Sequence, residues 1–212
     1  MKTLAALSAA PLLAAPLLAG AAHAQDVTKA YVQVHGGAFF QTGDALALEA
    51  VGAADEPIAA TLDLDPDVGF AVGGLVGYEV LLGLSVEGEA TFRSNSLDFD
   101  GVLPAIFPAP PDGREETVTI MLNAAYTLAV PFLADPYAGV GIGYVTPMGD
   151  TSDFDGAFAY QAKAGLAWPV GVGRAITEVA YLGTDGLEAS GNLNAQLDYG
   201  GVSALAGYRF AF

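Results

Sequence analysis

Tyr199–Phe212, the stretch YGGVSALAGYRFAF, decides how the rest of this chain is read. Counting back in twos gives Phe212, Phe210, Tyr208, Ala206, Ala204 and Val202, all apolar. The residues between them are Ala211, Arg209, Gly207, Leu205, Ser203 and Gly201, a mixture of small, polar and charged groups with one leucine. Side chains alternate across a β-strand, so this is a strand with one greasy face and one mixed face. In water, an aromatic stripe on such a strand invites aggregation. Against lipid it is a wall.

The same alternation recurs upstream. Val32, Val34, Gly36, Ala38 and Phe40 oppose Gln33, His35, Gly37 and Phe39. Val68 to Val80 continues it, with Glu79 on the inner parity, and Leu84 to Phe92 sets Ser85, Glu87, Glu89 and Thr91 inward. Val118–Leu128, Ala138–Tyr144, Phe158–Trp168 and Ala175–Tyr181 repeat the pattern, which makes eight segments with the last strand. Each is about as long as a tilted strand needs to cross a bilayer. The connections alternate between long and short, as in a barrel inserted with one orientation. The expected fold is all-β: an eight-stranded antiparallel up-and-down transmembrane β-barrel, with both ends of the barrel chain on the periplasmic side.

Composition agrees. The chain is 53% hydrophobic, only 15% charged, and has a mean hydropathy of +0.44. It has no cysteine, so neither a disulfide framework nor a thiolate metal site is available. Residues 1–24 read as a signal peptide, with Lys2 ahead of an apolar run and Ala22-His23-Ala24 as the cleavage site, which leaves residues 25–212 as the barrel domain. Removing Lys2 leaves six basic residues against 24 acidic ones, a net charge of −18. Such acidity argues against nucleic acid as a partner and against charge-driven docking on an anionic membrane surface.

Two other architectures compete with this one. Residues 117–134 carry no charge and could be taken for a membrane helix. Pro131 breaks that run, however, and Thr117, Thr119, Asn123 and Thr127 keep one parity. A soluble eight-stranded barrel would place large apolar residues inside, whereas here the more polar parity carries small residues. Because lipid-facing charge costs about 2 to 4 kcal/mol at the midplane, Glu87, Glu89, Lys163 and Glu178 must point inward.

With those residues in view, YAGVGIGY (Tyr137–Tyr144), EVAYLG (Glu178–Gly183) and AGYRFAF (Ala206–Phe212) resemble the bacterial outer-membrane β-barrel family. That family includes OmpA-like transmembrane domains, OmpX and opacity-type surface proteins. The resemblance implies location in the outer membrane of a Gram-negative bacterium, among outer-membrane lipids and lipopolysaccharide. It also implies that Phe212 is the assembly signal read by the barrel-assembly machinery. The family spans structural, adhesive and weakly pore-forming members, so it implies no single activity. The periplasmic peptidoglycan-binding domain that OmpA-like proteins often add is not carried over, since the sequence stops at the barrel.

The candidate site is a lumen ionic network of Glu79, Glu87, Glu89, Arg93, Lys163, Arg174, Glu178 and Arg209. Lys163 and Glu178 lie on adjacent strands and are expected to face each other. These groups read either as plugs in a narrow bore or as a gate for small solutes. The outer connections hold 18 of the 24 acids, Glu115 and Glu116 among them, against one base, Arg114. DFDG occurs twice, at Asp98–Gly101 and Asp153–Gly156. Asp63, Asp65 and Asp67 have the alternate spacing of a calcium loop, but Pro66 interrupts it and the twelfth position lacks a carboxylate, so no metal site is assigned. His35 has no serine close in sequence for nucleophilic chemistry. Gly139, Gly141 and Gly143 lack the spacing of a nucleotide loop; as inward glycines they would make room for larger side chains in the lumen. The expected function is non-enzymatic and without cofactor: an envelope-structural or surface-interaction role through acidic outer loops, which could meet an extracellular ligand. The alternative is a low-conductance or gated pore.

Overall fold

The computed structural model describes residues 30–42, 45–51, 57–63, 65–66, 68–98, 114–130, 134–148, 155–189, 193–197 and 199–212. The signal segment and parts of the long connections lie outside these residues. Thirteen strands are present among those described: β1 (Ala30–Gln41), β2 (Ala45–Val51), β3 (Pro57–Asp63), β4 (Asp65–Pro66), β5 (Gly69–Leu81), β6 (Leu84–Asp98), β7 (Arg114–Thr127), β8 (Asp135–Met148), β9 (Ala157–Val170), β10 (Gly173–Thr184), β11 (Leu187–Ala189), β12 (Leu193–Leu197) and β13 (Gly200–Ala211).

Eight of them close a barrel. The order β6-β5-β1-β13-β10-β9-β8-β7 is antiparallel throughout, and the β6–β7 pairing joins the two ends. The seam between first and last strands runs from Tyr31 opposite Ala211 to Gln41 opposite Gly201, and the Phe212 N–H donates to the Ala30 carbonyl at 2.9 Å. Closure removes sheet edges, which is what lets strands sit in lipid with every backbone group paired.

The parity read from the sequence holds on every barrel strand. Val34, Phe70, Val76, Ile120, Leu122, Val140, Ile142, Val179 and Phe210 are exposed on the outer wall, while Gln33, His35, Glu87, Glu89, Thr119, Asn123, Lys163 and Glu178 are buried inside. Outer aromatic pairs border the wall: Tyr208 with Phe210 toward the chain ends, and Phe70 with Phe92 and Tyr160 with Tyr181 toward the opposite end. Two short turns, Leu82-Gly83 and Gly171-Val172, close hairpins at the chain-end rim, with Gly83 (φ 77°) and Gly171 (φ 60°) in the left-handed region that glycine favours.

The outer connections differ from their reading as plain loops. β2 pairs with β3 and β12, and β12 with β11, giving a second, four-stranded sheet at the end opposite the chain ends. β6 and β7 also run beyond the expected strand ends, to Asp98 and from Arg114. Glu115, expected on an outer loop, is therefore an inner-face residue, only 3% exposed, and its Oε2 accepts from Gln41 Nε2 at 3.2 Å. Once the ladder continues past the membrane, parity still places every second residue inside.

Candidate functional site

The interior is filled in tiers, as eight strands demand. At the chain-end rim is an open vestibule of about 650 Å³, lined by Tyr31, Glu79, Ser85, Asp135, Arg174 and Arg209 among others. Arg174 pairs with Asp135 at its wall, and Glu79 Oε1 accepts the Gly83 N–H at 3.3 Å. Glu79 and Arg174 thus belong to the rim, not to the central cluster.

Above the vestibule the lumen is ionic. Lys163 Nζ lies 2.6 Å from Glu87 Oε2 and 3.0 Å from Glu89 Oε2. Glu89 Oε2 also accepts from Asn123 Nδ2 at 2.9 Å and Gln161 Nε2 at 3.1 Å, and Thr91 Oγ1 donates to its Oε1 at 3.1 Å. Arg209 donates from Nε and Nη2 to Gln33 Oε1 at 3.0 and 2.9 Å, and its Nη2 sits 3.7 Å from Glu87 Oε1. Two carboxylates therefore meet two cations, and most remaining lone pairs are met by neutral side chains, the condition under which burying charge is tolerable. Lys163 turns across the bore to β6 instead of meeting Glu178, correcting the expected pairing. In the β9–β10 register Lys163 stands opposite Ala180 and Glu178 opposite Gly165, two positions apart along the strands. In a bore this narrow, the facing wall is within reach.

Two tyrosines organise the floor of this layer in the same way. Tyr31 on β1 lies opposite Gly77 on β5, which lies opposite Glu87 on β6; the Tyr31 hydroxyl reaches over the glycine to Glu87 Oε1 at 2.5 Å. Tyr137 on β8 lies opposite Gly165 on β9, which lies opposite Glu178 on β10; its hydroxyl donates to Glu178 Oε2 at 2.8 Å. Each run spans three consecutive strands, and β7 on one side and β13 on the other separate the two runs. The runs are thus related by a half turn of the barrel. Arg209 lies between them, 4.4 Å from the Tyr31 ring centroid and 5.2 Å from that of Tyr137.

Gly141 and Gly143 do make room, for Asn123 and Met121 on the adjoining strand, and two further inward glycines do so for tyrosines. A Cβ on Gly77 would run into the Tyr31 ring, and one on Gly165 into Tyr137. Gly77→Ala is expected to cost roughly 1–3 kcal/mol by overpacking, seen as a lower denaturant midpoint of refolded protein. In a Tyr31→Ala background the same change should cost far less; equal losses in both backgrounds would refute the stacking.

The upper lumen is apolar. Phe39, Met121, Val145, Leu182, Leu187, Tyr199 and Leu205 form one buried cluster. Arg93 stands beside it, donating to Thr119 Oγ1 at 2.7 Å with its guanidinium 5.4 Å from the Phe39 ring centroid. Two bridges cross the bore at the top: Gln41 to Glu115, and Thr117 to the Tyr199 hydroxyl at 2.7 Å.

His35 is packed, not poised. Its Nδ1 is 3.4 Å from Gln33 Nε2 and its Nε2 3.4 Å from Thr91 Oγ1. It is buried between layers and does not line the vestibule. Asp63 ends β3 and Asp65 begins β4, while Asp67 lies outside the described residues, as do 99–101 and 153–154 of the two DFDG stretches. Sequence reasoning missed Tyr31, Tyr137, Asn123 and Gln161 as members of the network, and Asp135 as the partner of Arg174. All of them share the inner parity with the charged residues, and that parity was the available signal; Asp135 was counted with the turn before β8, whose first residue it is.

Known proteins were compared with this fold and interior. The family model described as "Outer membrane protein beta-barrel domain" matches residues 10–210. No curated protein sequence matches the chain. Among solved structures, OprG from Pseudomonas aeruginosa is similar with a TM-score of 0.56 at 14% identity, over 86% of this chain and 96% of that one. Outer membrane protein AlkL, determined by solid-state NMR in DMPC lipid bilayers, gives 0.57 at 15% identity, over 89% and 93%. Neisserial surface protein A gives 0.51 at 15% identity, over 86% and 97%. At such identities the structures speak to fold alone. The family model spans nearly the whole sequence, and the closed antiparallel barrel described above is the fold it names: the chain belongs to the outer membrane protein β-barrel family.

Proposed function

We propose that this protein works as a closed outer-membrane barrel that supports the envelope and meets its surroundings through acidic outer segments, not as a catalyst or an open pore. One observation carries the reading: Lys163, Glu87 and Glu89 meet across the bore with their side chains almost wholly removed from solvent. The apolar tier and the two upper bridges add a second seal. The non-enzymatic part rests on His35, which is packed between Gln33 and Thr91 with Glu89 at 4.0 Å, and Glu89 is itself held by Lys163 and neutral donors.

The outer segments supply the interaction surface. Their carboxylates outnumber their bases heavily, which suits divalent cations bridging to lipopolysaccharide phosphates or a cationic extracellular ligand. The assembly machinery would read Phe212, at the rim beside Ala30.

Refolded protein in planar lipid bilayers is expected to give no steady channels above the leak of the lipid. Persistent ohmic openings in the wild-type protein would overturn the closed-barrel reading. The gated pore stays as a second reading because the vestibule already brings solvent to the underside of Arg209.

A further inference from the structure

The two half-turn-related Tyr–Gly–Glu runs differ in one respect. Glu87 has the Lys163 ammonium at 2.6 Å and Arg209 Nη2 at 3.7 Å. Glu178 is just as deeply placed, 4% exposed. Among the described residues no cationic nitrogen lies within 4.0 Å of it. Its Oε2 takes the Tyr137 hydroxyl, but its Oε1 has no hydrogen-bond partner. Gln161 Oε1 is also without a donor, but Gln161 stands opposite Leu182, four positions along β9 from the partner of Glu178. Lys163 lies between these two positions on β9 and turns away to the opposite wall. A carboxylate withdrawn from water with a bare oxygen is costly unless a donor or cation meets it.

We propose that Glu178 and Tyr137 form the second half of a paired cation cradle, and that this half binds a small monovalent cation of the ammonium type. The class of ligand comes from the protein itself: the equivalent carboxylate, held by the equivalent tyrosine, is met by a primary ammonium group. Such a group has one charge and several donors, enough to meet Glu178 Oε1. A divalent ion fits poorly. It needs six or more oxygen ligands or a carboxylate cluster, and no group of three or more His, Cys, Asp or Glu suited to a metal occurs among the described residues. The vestibule reaches Arg209, which lies between the Tyr31 and Tyr137 rings, so an incoming cation would have to pass that guanidinium. The inference concerns the lumen and does not depend on the closed-barrel role proposed above.

The test is thermal unfolding of the refolded full chain in detergent, in ammonium chloride against choline chloride at equal ionic strength. Ammonium and methylammonium should raise the midpoint saturably, by roughly 3–6 °C at about ten times the dissociation constant. Choline, too bulky for the packed bore, should not. Glu178→Gln should abolish the rise, while Glu115→Gln, a buried carboxylate in the upper tier, should keep it. Equal midpoints in the two salts, or a rise that survives Glu178→Gln, would overturn the proposal. If Glu178→Gln does not refold, infrared spectra of the wild-type protein decide. An ionised carboxylate band that shifts with ammonium supports the site. The carbonyl stretch of a neutral carboxylic acid, unchanged by ammonium, sinks it, because a proton then satisfies Glu178.

Discussion

Lys163→Met should lower the stability of the refolded barrel by about 3–5 kcal/mol, the largest loss expected from any single change in the lumen. Methionine keeps much of the length and the apolar stem but removes the ammonium that sits 2.6 Å from Glu87 and 3.0 Å from Glu89. Both carboxylates then stay behind, withdrawn from water and facing each other without their shared cation. Asn123, Gln161 and Thr91 still donate to Glu89, and Tyr31 to Glu87, which keeps the loss finite. The measurement is the denaturant midpoint at neutral pH. Adding Glu89→Gln should recover much of the loss, because the remaining carboxylate of the layer, Glu87, keeps Arg209 at 3.7 Å. A midpoint unmoved by Lys163→Met would mean that the ion pairs contribute nothing. The same variant separates the two functional readings. A plugged scaffold stays electrically quiet while it remains folded, whereas a gated pore should show a raised conductance once its bolt is removed.

Ile142→Arg should cost about 2–4 kcal/mol in a lipid bilayer. Ile142 is 57% exposed on the outer wall, midway along β8, with Leu122 and Tyr160 beside it in the ladder. In water, that much exposure would make an arginine there nearly neutral. In hydrocarbon, the guanidinium must be dragged to an interface or held in a water defect. Folding free energies in phospholipid vesicles measure the cost directly. A change within about 0.5 kcal/mol, the usual range for a soluble surface site, would show that the outer wall does not face lipid.

The barrel was legible because its rule is local. One residue in two faces lipid, so Val140, Ile142 and Tyr144 announce the face and Gly139, Gly141 and Gly143 its reverse without knowledge of neighbours. Which inner residues meet is not local. Lys163 and Glu87 come from strands three places apart around the ring, and only the bore width and the side-chain lengths decide that they touch. The expected Lys163–Glu178 pair came from adjacent strands and a similar distance from the turn between them, and missed the two-position offset. The tyrosines were hidden for a related reason: Tyr31 looks like an aromatic at a strand end until its register with Gly77 is known. The outer sheet escaped notice because its strands are short, and because β2 takes β12, more than a hundred positions later, as its neighbour. Glu115 was misplaced by drawing the strand boundary where the bilayer was assumed to end; the ladder continues further.

The seam between β1 and β13 has a kinetic consequence. Every other pairing in the ring joins barrel strands that follow one another along the chain, so hairpins can form and grow one by one. The seam instead joins partners such as Gln33 and Arg209, 176 positions apart. No turn sets its register, and its loop-closure entropy is the largest in the molecule. Until it forms, the open sheet exposes two unpaired strand edges and leaves Arg209 out of the lumen. The guanidinium that bonds Gln33, stacks on two tyrosines and approaches Glu87 can do so only in the correct alignment. Arg209 therefore favours the native register: with its face already set by β10, a seam slipped by two residues would part it from Gln33 and forfeit these contacts.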